Sequence, residues 1–339
     1  MESQDGSSPR AVEREVNVVM GFLTVPLTWM SHLGGASVGR EGVSIQLGRS
    51  VSAVIRRFSF FENLQASELF VIRCGAAAGF AAVFGSPCAA AVFSFEAFSQ
   101  KFYSVDVVDS SNSGSFIDFL FVAACSFAAN ASAGMFFGVS HAHLSAERVE
   151  FSAELLFFLF LLALVFLIVS NIHVRIGRFL NQQRELLMPK YSFVLVVLSV
   201  IFCVFLFVPQ ARIYRNLGTN FIDHFFKSGS NEFQFGLWDW LVKLVATLFS
   251  VSLGFKGGEV TPLLSVGVLL SFSLSSVVPL TGSAIAVAGY SGMFAAVFRV
   301  PLTGAVLAFE SFGIYGWSGA VVCCILFLIM NFRSVIWKR

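Results

Sequence analysis

Long uncharged stretches punctuated by glycine and proline set the pattern of this chain. Cys74 to Phe95, Leu155 to Ile172, Tyr191 to Ala211 and Ser311 to Phe332 carry no Asp, Glu, Lys or Arg, and Val260 to Phe298 is long enough for two helices. A helix needs about 20 apolar residues to cross a hydrocarbon layer, so the pattern predicts an all-α polytopic membrane protein. Glycine, serine and proline interrupt these runs at Gly85 to Pro87, Gly257 to Pro262 and Val277 to Gly282, which predicts broken and re-entrant helices. Irregular backbone at membrane depth is tolerated only against protein or a watery cavity, so the breaks point to a permeation path. Kinked packing helices are the simpler alternative.

Composition narrows the class. Of 339 residues, 56% are hydrophobic and 12% charged, with a mean hydropathy of +0.80, which excludes a water-soluble globular protein. The net charge of +2 and the lack of a basic, aromatic-interleaved stripe exclude nucleic acid as a partner. The six cysteines lie in apolar stretches without a CxxC pair or zinc-ligand spacing, and read as small buried hydrophobes. The 41 phenylalanines read as lipid-facing and core packing. Residues 1–15 form a polar tail with no short apolar core before a small-residue cleavage site, so no cleaved signal peptide is expected.

The chain repeats itself. GFAAVFGSPCAAAVFSFE (Gly79 to Glu96) returns as MFAAVFRVPLTGAVLAFE (Met293 to Glu310), with proline on proline and glutamate on glutamate. More weakly, GREGVSIQLG (Gly39 to Gly48) lies on GEVTPLLSVG (Gly258 to Gly267). Two repeats in one membrane chain point to a transporter with its substrate held between them. The halves are placed at 16–140 and 141–339. Arg175, Arg178, Arg184 and Lys190 make the connection from His173 to Lys190 basic, whereas Glu147, Glu150 and Glu154 outnumber Arg148 between His141 and Glu154. The positive-inside rule makes the former cytoplasmic, and Arg10, Arg14, Arg333, Lys338 and Arg339 fit cytoplasmic ends.

Glu41 is the outstanding chemical position, a carboxylate beside Arg40 opening the apolar helix from Val43 to Ile55. A helix N-terminus binds anions through free N–H groups and the dipole, and a glutamate there competes with the anion until it is protonated. The plainer reading is an interfacial Glu–Arg pair. A second glycine-rich turn, GFKGGEVTP, sets Lys256 and Glu259 before another apolar helix, whose donors would be the Val260 and Thr261 N–H groups and the Thr261 hydroxyl; alternatively Thr261 caps that helix. Glu96 and Glu310 end their matching helices symmetrically and read either as functional carboxylates or as acceptors of backbone hydrogen bonds. His141 and His143 lack a third metal ligand nearby and read as an exposed loop. Walker, nucleophile-elbow and zinc-protease motifs do not occur, so no enzyme is expected, and neither a metal nor a cofactor.

These residues resemble the CLC family of chloride channels and anion/proton antiporters. GREGVSIQLG is similar to its gating-glutamate motif, GGEVTPLLSVG to its second pore motif, and the paired proline-led segments to its two interface helices, over about Val16 to Lys338. The wording GREGV with GFKGGEVTP is more similar to the fluoride/proton antiporter branch. The resemblance implies a homodimer in the cell membrane, with one anion path per subunit and two inverted helical repeats, the first of them incomplete. It also implies that Glu41 is the gate exchanging anion for proton, and that Gly39, Arg40, Gly42, Val43, Gly258, Val260 and Thr261 lie around the anion, with Trp337 as counterpart of the family's pore tyrosine. Two departures follow from it. Ala97 stands where the family's inner proton-relay glutamate would fall, and only about forty residues precede Glu41, where the family has two or three further helices. Fluoride export by proton antiport is the leading expectation, with a passive chloride or fluoride channel and a truncated, non-transporting remnant as alternatives.

Overall fold

The computed structural model of the chain describes residues 18–56, 68–99, 115–138, 144, 146, 150–226, 236–275 and 282–336. Among these, the architecture is helical throughout: α1 (Val18–Leu33), α2 (Glu41–Arg56), α3 (Glu68–Phe84), α4 (Pro87–Ser99), α5 (Phe116–Phe137), α6 (Ala153–Leu206), α7 (Thr219–Phe226), α8 (Asp239–Ser252), α9 (Val260–Ser275), α10 (Gly282–Phe298), α11 (Pro301–Phe312) and α12 (Trp317–Ile336), with 3-10 turns at Pro209–Tyr214 and Gly313–Gly316. Val260 to Phe298 does form two helices, α9 and α10. With α5 and α6 long and apolar enough to span a bilayer, and shorter apolar helices packed between them, the protein is a multi-pass integral membrane protein.

No loop separates Leu155 to Ile172 from the segment that starts at Tyr191: within α6 one helix runs from Ala153 to a kink at Tyr191 (φ −130°, ψ 32°), just after Pro189, and a second continues to Leu206. The intervening segment from His173 to Lys190 is rich in Arg, Gln, Glu, Leu and Met, all good helix formers, and meets no proline until Pro189. The bend falls where proline removes an N–H and crowds the preceding turn.

The repeated segments occupy equivalent positions. In each a helix stops and a proline-led helix restarts. The break at Gly85 has φ 72° and the corresponding Arg299 has φ 57°, so the second copy holds a non-glycine residue in the left-handed region, at a cost its surroundings must offset. Helices α4 and α11 then cap each other. Glu96 at the end of α4 accepts from the Leu302 (2.9 Å) and Thr303 (2.7 Å) N–H groups and the Thr303 hydroxyl (2.7 Å) at the start of α11. Glu310 near the end of α11 accepts from the Cys88 (2.9 Å) and Ala89 (2.8 Å) N–H groups at the start of α4. Each carboxylate satisfies orphan donors and meets the positive end of its neighbour's dipole. These two glutamates therefore take the structural role weighed for them, across the two repeats.

Lipid supplies no hydrophobic driving force between helices, so their association rests on close packing of small residues. A methyl group built on Gly48 of α2 would strike the Gly75 carbonyl of α3, and one on Gly267 of α9 would strike that of Gly289 in α10. The second, weaker repeat thus also marks equivalent contacts. Between these pairs lies a core of small residues and stacked rings, including Phe80, Phe93 and Phe294. The cysteines depart from the expected burial: Cys323 is buried, but Cys74, Cys125 and Cys203 are half-buried and Cys88 and Cys324 exposed, and all six are free thiols. Where the exterior is lipid, a weakly polar thiol has no reason to prefer the interior.

Candidate functional site

The two glycine-rich turns meet. Gly39 and Gly258, aligned in the sequence, pair as an antiparallel bridge, with the Gly258 N–H donating to the Gly39 carbonyl at 2.8 Å and the Gly39 N–H donating in return. This places the start of α2 beside the start of α9. Gly42 completes the approach, since a Cβ there would lie 3.0 Å from the Gly258 Cα. In α2 the first intrahelical bond at this end runs from the Ser44 N–H to the Arg40 carbonyl, and in α9 from the Leu263 N–H to the Glu259 carbonyl. The N–H groups of Glu41, Gly42 and Val43, and those of Val260 and Thr261, therefore have no acceptor within their own helices. Two positive helix ends converge on one spot, as the sequence led us to expect.

Glu41 fills that spot. It is the first residue of α2 and is 4% exposed, and its Oε1 accepts from the hydroxyl of Thr261, itself 5% exposed. Oε2 is buried without a partner. The carboxylate fits because Gly39 has no side chain: a Cβ there would overlap Oε2. Arg40 is exposed and makes no ion pair with Glu41, so the interfacial Glu–Arg pair does not form. Nor does Thr261 cap its helix, since α9 begins at Val260 and the hydroxyl is spent on Glu41. A carboxylate taken out of water with one hydrogen bond and one bare oxygen carries a large desolvation cost, offset here by the two helix ends.

A cleft of about 1030 Å³ leads to this contact, lined by Arg40, Glu41, Thr261, Thr219, Asp223 and Tyr290 among others, with Glu310 and the Gly85–Pro87 break on its far wall. Of the site residues read from the sequence, Gly39, Arg40, Glu41, Gly42, Val43, Gly258, Val260 and Thr261 are brought together here, while Trp337, like His141 and His143, lies outside the described residues. The aromatic hydroxyl placed at the cleft is Tyr290, buried in α10 and bonded to Ser311. Its sequence signal is a lone tyrosine in a helix otherwise made of small and apolar residues. Glu259 stands out in the sequence only as a neighbour of Val260; its Oε2 pairs with Nε2 of His173 at 2.9 Å, the imidazole being 3% exposed on α6. His173 and Glu259 are 86 residues apart in sequence, and nothing in their local patterns links them. Ala97, at 2% exposure, belongs to the apolar core.

The family model "Voltage gated chloride channel" matches residues 7–329. A chloride/fluoride channel protein of Pseudomonas syringae pv. tomato (strain ATCC BAA-871 / DC3000) is 29% identical over 305 residues, 88% of this chain, and the chain spans 63% of that relative's length. Among solved structures, a CLC-type fluoride/proton antiporter is 26% identical with a TM-score of 0.78, over 90% of this chain and 73% of its own. A slow cyanobacterial chloride/proton antiporter shares the fold at 20% identity, with a TM-score of 0.70 over 90% of this chain and 72% of its own. With a family match over nearly its whole length, the chain belongs to the voltage gated chloride channel, or CLC, family.

Proposed function

We propose that this protein carries fluoride out of the cell in exchange for protons, with Glu41 as the gate, working as a homodimer with one path per subunit. The observation that carries the proposal is the buried Glu41 carboxylate lying on Thr261 where two helix N-termini converge. An anion and that carboxylate compete for the same donors. Protonation removes the charge, weakens the hold of the helix ends and the Thr261 hydroxyl, and lets the side chain swing toward the cleft. The vacated position then offers an anion the Thr261 hydroxyl and the Val260 and Thr261 N–H groups, with Arg40 at the cleft mouth as an attracting charge. Fluoride suits such a site because it is small and a strong hydrogen-bond acceptor. The likeness to a fluoride/proton antiporter and to a chloride/fluoride channel protein favours it as cargo.

A passive channel is the second reading: the position that the resemblance assigns to a proton-relay acid holds the Ala97 methyl group in the apolar core, a feature that the fluoride/proton antiporter branch is also expected to have. Proteoliposomes loaded with fluoride or chloride, with internal and external pH followed together, separate the two. Antiport requires fluoride efflux that drives protons uphill, speeds up as pH falls, and in Glu41→Ala loses both proton movement and pH response. Efflux of either anion without proton movement establishes the channel. No flux from a folded protein would leave a non-transporting protein of the same fold.

A further inference from the structure

A second charged group near the path is unaccounted for by the gate. Lys243 on α8 has no exposed surface, and lysine is almost never fully buried unless paired with an acid. Among the described residues no acid pairs with it. The carboxylate one turn earlier, Asp239, is engaged by the Tyr214 hydroxyl at 2.7 Å and the Gly236 N–H at 2.8 Å. The Lys243 Nζ instead donates to two backbone carbonyls, Tyr214 at 3.0 Å and Asn216 at 2.7 Å.

The loop it holds borders the cleft. Leu217 and Thr219 line the cleft with Glu41 and Thr261. Asn216 (φ 54°) and Gly218 (φ 76°) are both left-handed, and this turns the loop's carbonyls inward. Those of Tyr214 and Asn216 go to Lys243, and those of Leu217 and Gly218 to the Ser265 hydroxyl at 3.4 and 2.9 Å. The Thr261 carbonyl also lies within reach of that hydroxyl, at 3.1 Å, so its single proton is shared between the loop and the first turn of α9. Carbonyl oxygens facing the cleft would repel an anion; here those of Tyr214 and Asn216 are held by Lys243, and the Ser265 proton serves one further carbonyl at a time.

We propose that Lys243 is an affinity-setting residue of the anion path, a positioning residue that acts without touching the anion. In its protonated form it supplies a positive charge behind the cleft wall, and its Nζ holds the carbonyls of Tyr214 and Asn216 away from the anion. The proposal rests on the reading of Glu41 and Thr261 as the anion site. A structural clasp alone needs donors rather than charge, so the test is to keep one and remove the other. Lys243→Gln retains two N–H donors and loses the charge, Lys243→Arg retains the charge, and Lys243→Met loses both. Fluoride and chloride binding to detergent-solubilised protein, by calorimetry, is measured beside efflux as a function of anion concentration, with melting temperature as the check on folding.

A unit charge in the wall of a low-dielectric path changes anion affinity by about tenfold. The expected result is a Kd, and a half-saturating concentration for efflux, weakened about tenfold in Lys243→Gln and Lys243→Met and within about twofold of the parent in Lys243→Arg. The maximal rate changes less than the half-saturating concentration. If Lys243→Gln binds anion as tightly as the parent, or Lys243→Arg is as weak as Lys243→Gln, the charge plays no part and the proposal is overturned. Binding that follows the predicted order without any flux upholds Lys243 and removes the transport reading instead. Should Lys243→Met fail to fold, the comparison of Lys243→Gln with Lys243→Arg decides.

Discussion

The exchanged glutamate caps give a ranking that can be calculated. Glu96 accepts three hydrogen bonds and Glu310 two, and a hydrogen bond to a charged group contributes about 1.5–3 kcal/mol net. Only donors sealed inside the protein count toward the cost of truncation: Leu302 and Cys88 are exposed at the starts of their helices and are left out. Thr303 and Ala89 are fully buried, so Glu96→Ala strands an N–H and a hydroxyl, whereas Glu310→Ala strands one N–H. At about 1–3 kcal/mol per stranded group, Glu96→Ala costs about 2–6 kcal/mol and Glu310→Ala about 1–3 kcal/mol by the same arithmetic. Glu96→Gln keeps one acceptor oxygen and loses the dipole interaction, costing about 1–2 kcal/mol. At about 2 °C per kcal/mol for a chain of this size, tryptophan-fluorescence melts in detergent place the parent highest, Glu96→Gln below it and Glu96→Ala lowest, with Glu310→Ala above Glu96→Ala. Anion efflux per folded molecule of Glu96→Ala stays at the parent rate, since Glu96 is not part of the cleft at Glu41. Equal melting temperatures for the two alanine variants, or a lower one for Glu310→Ala, would refute the reasoning that stranded buried donors set the cost.

Three further outcomes follow from the contacts at the gate and the helix crossings. Gly39→Ala puts a methyl group on Oε2 of Glu41; the carboxylate is pushed off Thr261, and proteoliposome efflux loses its pH response as in Glu41→Ala while melting changes little. Thr261→Val removes the one hydroxyl bonded to Glu41 at constant shape, worth about 1.5–3 kcal/mol to a carboxylate. Efflux near neutral pH and at saturating anion rises about tenfold or more, the half-saturating anion concentration also rises because the anion loses the same donor, and Thr261→Ser restores both. Gly48→Ala forces α2 away from the Gly75 carbonyl, an overpacking cost of about 1–3 kcal/mol or more, and Gly267→Ala does the same against Gly289; both lower the melting temperature and the yield of folded protein. A Gly48→Ala protein as stable as the parent contradicts the close crossing.

Much of this protein was legible without coordinates because its constraints are local. A helix in lipid must satisfy its own backbone, so uncharged runs mark helices, and glycine and proline mark their ends. The GREG and GGEVTP turns declared helix N-termini through residue types that leave N–H groups free, and the matched prolines and glutamates declared a repeat. What those residues do to one another is a different matter. The same Glu41 beside Arg40 was compatible with a surface ion pair, and the same Thr261 before Pro262 with a cap. Only the antiparallel meeting of Gly39 with Gly258 turned the carboxylate inward onto the hydroxyl and left the arginine exposed. Glu96 and Glu310 looked alike from either side of the question, and became caps because α4 and α11 run head to tail.

Tertiary structure alone decided three further points. The basic segment after His173 looked like a loop because charge is ordinarily kept from membrane crossings, yet its residues are helix formers and α6 runs on to Pro189. His173 and Glu259 form a pair through packing of α6 against the turn before α9, at a sequence separation no pattern reports. Lys243 is inconspicuous in the sequence because a lone lysine in an apolar helix carries no spacing signal; its burial and its two carbonyl partners exist only once the 214–218 loop folds over it. Periodicity and end-signals act within a few residues along the chain and so can be read from it, whereas the partner of a buried charge is set by which distant segments touch.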